Sequence, residues 1–185
     1  MLHTSLNLLS RQSDYLEGAV RRHLGDLDPY ESFSMGVLLD IPELENPIDT
    51  LCALKDVPPY DDPERDCVAR IFAVNTAERM LNRLQKCGVD CDPRLWRIIE
   101  TARRHAFGKA TNEGLTAAWL EAWDLMGQSK GNVALAVRDV AWEDAVTAAC
   151  IISNAARAAS ANHGDENTET AEQIRVLRVL LGEGN

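Results

Sequence analysis

Four carboxylates in the second half of the chain have a spacing that could support hydrolysis. Glu121 and Asp124 stand three residues apart and Asp139 and Glu143 four apart, so on helices each pair shares a face. Two such faces opposed would offer oxygen ligands to Mg²⁺, the arrangement helical nucleotide pyrophosphatases use to activate water. Arg138 and Lys130 are close enough in sequence to neutralise them, and no glycine-rich phosphate loop accompanies them. The stronger expectation is a solvated, charge-paired face. A Mg-dependent nucleotide hydrolase stands as the alternative.

Sulfur chemistry has a similar standing. Cys87 and Cys91, with Cys67 and His105 elsewhere, could compose a Cys₃His zinc site. Three residues separate the first two, however, where the usual knuckle has two. Free cysteine is more often a small buried hydrophobe, so no metal and no cofactor are expected. The other histidines are His3, His23 and His163. His23 and His105 follow arginines at helical ends, where a cation complements the helix dipole. Ser34 and Ser153 have no G-x-S-x-G context. Arg94, Arg97, Arg103 and Arg104 share one helical segment. Without interleaved aromatics, and against a net charge of −10, they do not predict direct nucleic-acid binding. Trp119 and Trp123 share a helix face and read as core. Exposed, they would be anchors for a partner.

Charge is the most uneven property of the chain. Residues 26–66 hold 12 acids and 2 bases, which accounts for the whole net charge of −10; the other 17 acids and 17 bases balance. Such a field favours basic partners and repels nucleic acid and anionic membranes. Seven of the 12 acids have a structural reason to be where they are, because they flank helix starts at Pro29, Pro47 and Pro63. Asp26, Asp40, Glu43, Glu45 and Asp56 remain. These five are the expected partner-binding residues, with Leu39 and Leu44 as apolar support.

The elements that must position these groups are helical. A chain of 185 residues is one domain and buries a sizeable core without disulfides. Its 5 cysteines are odd in number and scattered, which suits a reducing cytoplasm. No apolar run is long enough to span a membrane, and the N-terminus lacks the basic start of a secretory signal. Asp28-Pro29, Asn46-Pro47, Asp62-Pro63 and Asp92-Pro93 each read as an N-cap followed by proline in the first turn. Helices are expected over 5–24 (or from Asp14), 47–55, 63–87, 93–107, 111–126, 132–161 and 168–181. Gly25, Gly88 and Gly108 act as stops. Residues 29–39 are ambiguous, because Phe33, Met35, Val37 and Leu39 alternate like a strand. Residues 132–161 are rich in alanine and are expected to form one long central helix, with Trp119, Trp123 and Trp142 filling the gaps around it.

Several segments of the second half follow a familiar order. They are Arg65 to Glu78, then Ile98-Ile99-Glu100-Thr101-Ala102-Arg103, then Gly108-Lys109-Ala110-Thr111. Ala117-Ala118-Trp119, Val140-Ala141-Trp142 and Ala171-Glu172-Gln173-Ile174-Arg175 complete the order. Together they resemble the alanine- and tryptophan-rich helical immunity-type proteins of bacteria and their phages. The resemblance covers about residues 65–181 and excludes the acidic stretch. It implies an all-helical protein that acts by binding, and it transfers no catalytic residues.

The expected architecture is therefore all-α. It is a single domain over 1–185, built as a bundle or short stack of antiparallel helix pairs with about seven helices. The acidic, less regular portion is 1–62 and the helical core is 63–182. The expected function is a cytoplasmic, non-enzymatic inhibitor of a protein partner with a basic or nucleic-acid-binding surface. It would act as an immunity protein or, by analogy of size and charge, as phage anti-CRISPR proteins do. A structural assembly subunit, self-associating through the alanine-rich helix, is a further alternative.

Overall fold

A computed structural model describes residues 2–11, 13–25, 27–44, 46–56, 63–126, 131–162 and 164–182, excluding the side chains of 56, 131–133 and 136. The protein is predominantly helical, as the sequence pattern predicts. Its centre is the pair α4 (Pro63–Lys86) and α8 (Ala145–Ala161), the most extensive helix contact in the molecule. Alanine makes this possible: Ala145, Ala148, Ala149 and Ala156 on α8 meet Ala69, Ala73 and Ala77 on α4, all buried. Small side chains let two backbones approach closely, and Phe72 and Ile152 fill what remains.

Around this pair the chain winds in sequence order. α5 (Pro93–Ala106) packs on α4, α6 (Asn112–Met126) on α5, and α7 (Gly131–Arg138) on α6. α9 (Glu166–Leu180) then covers α8 and α4. Helices start at Pro47, Pro63 and Pro93 as the sequence signals, but none starts at Pro29, where the Asp28 carboxylate accepts the Tyr30 N–H at 2.8 Å in a turn. Asp92 accepts the Arg94 N–H at 2.9 Å and Pro93 takes the first turn. After α4 the backbone turns left-handed at Gly88 (φ 82°), and Val89 N–H returns to Leu84 C=O at 3.0 Å.

The N-terminal portion is built from shorter pieces. Strand β1 (His3–Ser5) leads into α1 (Leu6–Leu9), and α2 (Asp14–Leu24) follows. β2 (Ser32–Ser34) pairs antiparallel with β1, with Thr4 opposite Phe33. A 3₁₀ segment, Met35–Asp40, follows, and then α3 (Pro47–Ala53), capped by Asn46. The single helix expected over 5–24 is thus two. The later start holds: the Ser13 hydroxyl accepts the Tyr15 N–H at 3.2 Å and caps α2. The alternation at Phe33 and Met35 is only half a strand, because the pairing stops at Ser34. Leu6, Leu9, Met35, Leu38, Leu51 and Leu54 are nevertheless fully buried in the same core as α4 and α8. Each such burial contributes roughly 1.5–3 kcal/mol.

The larger departure lies in the alanine-rich region. The continuous helix expected over 132–161 is broken into α7, a 3₁₀ turn (Asp139–Ala141) and α8. Trp142 (φ −63°, ψ 147°) and Asp144 (φ −75°, ψ 109°) are extended. The Asp144 carboxylate accepts the Thr147 N–H at 2.8 Å and starts α8 afresh. The same break corrects a second expectation. Trp142 and Trp123 do not fill the core; they are 38% and 43% exposed. Among the described residues no helix is long and apolar enough to cross a membrane.

Candidate interaction surface

Two acids of the patch expected to bind a partner, Asp40 and Glu43, are paired within the chain. Asp40 pairs with Arg178 of α9 at 2.7 Å, and the same guanidinium donates to Leu39 C=O at 2.9 Å. Glu43 pairs with Arg22 of α2 at 3.3 Å. A hydrogen bond with its own backbone, then Arg22, holds the Glu43 carboxyl below the usual range. Tyr15 O–H donates to Glu43 C=O. Leu39 and Leu44 are 8% and 2% exposed, so they are core residues and cannot be the apolar support of an interface. The reason is tertiary: this segment lies against α9 and α2, and their arginines meet its acids. Asp26 and Glu45 lie outside the described residues. Asp56 ends a single 3₁₀ turn, Leu54–Asp56, and its side chain is also outside them.

The carboxylate quartet does not assemble either. Glu121 pairs with Arg97 at 2.8 Å. Asp139 is buried and bonded to Arg138 at 2.6 Å, while Asp124 and Glu143 are exposed. Among the described residues no three of His, Cys, Asp and Glu gather as a metal-binding group. Cys91 is buried and Cys87 exposed, which separates the expected zinc pair. On α5, Arg94 pairs with Asp92, Arg97 with Glu121 and Arg103 with Glu78 and Glu100, while Arg104 donates to Lys109 C=O at 3.2 Å. Their partners are not the acidic stretch.

A cleft of about 410 Å³ brings Cys67, His105 and Asn112 together, and His105 Nε2 lies 2.7 Å from Asn112 Oδ1. Burial, and next Glu64, push the Cys67 thiol up. That disfavours the thiolate a nucleophile needs.

What the fold does build is a ledge where the long helix breaks. Its anchor is Arg70 on α4, only 2% exposed. Arg70 Nη1 donates to Val140 C=O at 2.9 Å and to Trp142 C=O, and Nη2 donates to Glu143 C=O at 2.8 Å. Burial pulls this guanidinium down to about 10, and Asp66 and Asp144 oppose the shift, so it remains a cation at neutral pH. Three carbonyls in an irregular turn thereby receive the donors that a helix would have supplied.

The ledge presents Trp142 and Glu143 outward. The Trp142 ring meets Trp119 edge to face, with centroids 5.6 Å apart and 73° between planes. Trp119 meets Trp123 in the same way, at 5.6 Å and 77°. The Arg138 guanidinium lies 4.7 Å from the centre of the Trp123 ring. Between Trp119 and Trp142 runs a cleft of about 200 Å³, lined also by Thr116, Ala141 and Glu143. The Trp119 indole Nε1 is a buried donor with no acceptor among the described residues. Glu143 also lines the two neighbouring clefts. Among the described residues its exposed carboxylate has no ion-pair partner.

Aromatic rings beside a carboxylate that has no ion pair among the described residues are groups whose chemistry attracts a cation. The rings contribute through their quadrupole, and the carboxylate through charge and hydrogen bonding. The sequence contained one sign of this ledge that the helical pattern obscured: Asp144 stands three residues before Thr147, which is N-cap spacing inside an alanine-rich run. Arg70, in mid-helix, carried no sign at all. Comparison with protein-family models, with curated proteins and with solved structures finds no match to this chain.

Proposed function

We propose that this protein is a non-enzymatic binding protein that captures and inhibits a protein partner with a basic surface, and that the partner docks on the Trp142–Glu143 ledge. The observation that carries the reading is a half-exposed tryptophan next to an exposed carboxylate without an ion pair among the described residues, on a turn held rigid by a buried arginine. Rigid aromatic anchors lose little entropy on binding and dominate interface energetics. The net charge of −10 supports the reading, because it steers basic partners and disfavours direct contact with nucleic acid. A toxin and a nucleic-acid-binding defence protein both present such a surface. The immunity-type resemblance of residues 65–181 points to the same class of action.

The test is titration with arginine-rich peptides, followed by tryptophan fluorescence. Binding should change the emission, and Trp142→Ala and Glu143→Gln should each weaken affinity about 10-fold, or roughly 1.4 kcal/mol. Asp40→Asn with Glu43→Gln, at the patch already paired internally, should leave affinity unchanged. Equal affinity for wild type and both ledge variants would overturn the proposal.

A further inference from the structure

Two thiols meet at the junction of the N-terminal portion and the central helix. Cys52 on α3 and Cys150 on α8 are far apart in sequence, yet their sulfurs lie 3.8 Å apart. Both are half-buried and free, so neither is sealed from small solutes. A disulfide needs ~2.05 Å between sulfurs, so the two, already at contact distance, must close by under about 2 Å to bond. Among the described residues no other cysteine sulfur touches either of them.

The pair is also polarised. The contact between the two sulfurs draws the Cys52 thiol down to about 7, with burial opposing, Lys55 assisting and Asp49 resisting. The same contact, with burial, pushes Cys150 up; the nearby Lys55 pulls against this, and Asp144 adds to it. Of the two sulfurs, Cys52 is therefore the one disposed to ionise and Cys150 the one disposed to keep its proton. That division of labour separates an attacking thiol from a resolving one.

We propose that Cys52 and Cys150 are a hydroperoxide-responsive pair whose oxidation forms a disulfide that staples α3 to α8. The Cys52 thiolate attacks one oxygen of the peroxide. An S–O bond forms, the O–O bond breaks, and the other oxygen leaves as hydroxide. The Cys150 sulfur then attacks the Cys52 sulfenic acid and loses its proton. The S–S bond forms, the S–O bond breaks, and water departs. Two thiols have been oxidised and one peroxide reduced to two waters.

The test uses the full chain, fully reduced, and hydrogen peroxide in small molar steps. Intact mass should show the loss of two hydrogens per chain. The alkylatable thiols should fall from five to three, and dithiothreitol should restore all five. Peptide mapping should recover Cys52 joined to Cys150. In Cys150→Ser the reaction should stop at a Cys52 sulfenic acid that dimedone traps. In Cys52→Ser, Cys150 should give no adduct. Retention of free thiols at 52 and 150 at the dose that oxidises the exposed Cys87 would overturn the proposal. So would a map joining either residue to another cysteine. The wild-type mass and map decide the matter even where a variant fails to fold.

Discussion

Arg70 does more for the ledge than any residue on it. Its guanidinium replaces three backbone donors. Arg70→Met should cost about 3 kcal/mol in urea unfolding, because buried carbonyls are left without partners. It should also weaken peptide binding with Trp142 and Glu143 both intact. Arg70→Lys, keeping the charge but not the fork, should recover only part of either loss. The thiol pair makes a pH prediction at the same scale. Cys52 alkylation should rise through half its limiting rate near pH 7, about where its thiolate forms, whereas an ordinary thiol does so near 9. Cys150→Ala removes the sulfur contact and should move that midpoint upward. A Cys52 profile unchanged by Cys150→Ala would show that Lys55 and the surroundings, not the pair, set it.

At the scale of elements, polar groups decide how the helices are joined. Glu169 of α9 is 1% exposed and bonds Arg79 and Arg83 of α4, each at 3.1 Å. It also accepts from Gln173 at 3.0 Å, and Gln173 meets Ser153 of α8 at 2.6 Å. One carboxylate thus ties three helices together. Glu169→Gln should destabilise the fold by about 3 kcal/mol, since two arginines lose their counter-charge in a poorly solvated place. Thermal or urea unfolding measures it, with no change in peptide affinity per folded molecule. The proposed staple acts where α8 meets α3. Closing a loop of about 100 residues is worth at most about 4.7 kcal/mol on the chain-entropy scale. Peroxide-treated protein should therefore unfold at higher urea than the reduced form, and Cys52→Ser should abolish the difference.

For the whole molecule, net charge and local pairing give different answers to the same question. The acids of residues 26–66 contribute a long-range field that salt screens, with a Debye length of about 10 Å at 0.1 M. On the proposed reading, contact specificity comes instead from Glu143, a carboxylate without an ion pair among the described residues. Raising salt should weaken basic-peptide binding to wild type and to Glu143→Gln alike, while the gap between them persists. A gap that vanished with salt would mean that Glu143 acts only as one more charge in the field. Self-association through the alanine-rich helix has less surface than the sequence offered. The small residues of α8 are used against α4, and the helix packs also on α9 and α3.

The sequence by itself determined the helical class, the helix starts at Pro47, Pro63 and Pro93, and the stops at Gly25, Gly88 and Gly108. These are local effects: a cap, a proline ring or a left-handed glycine acts within one turn of backbone. Periodicity is local too, yet it misplaced some apolar positions: Leu39 and Leu44 are core, and Trp123 and Trp142 are exposed. Only the tertiary structure decided which acids remain free. Asp40 and Glu43 looked unexplained until Arg178 and Arg22 arrived from helices distant in sequence. Only the tertiary structure broke the alanine-rich helix at Trp142, because the donor that stabilises the break is Arg70, on another helix. It alone set Cys52 against Cys150. Ion pairs, buried donors and sulfur contacts between distant elements depend on distances through space, and spacing along the chain carries no trace of them.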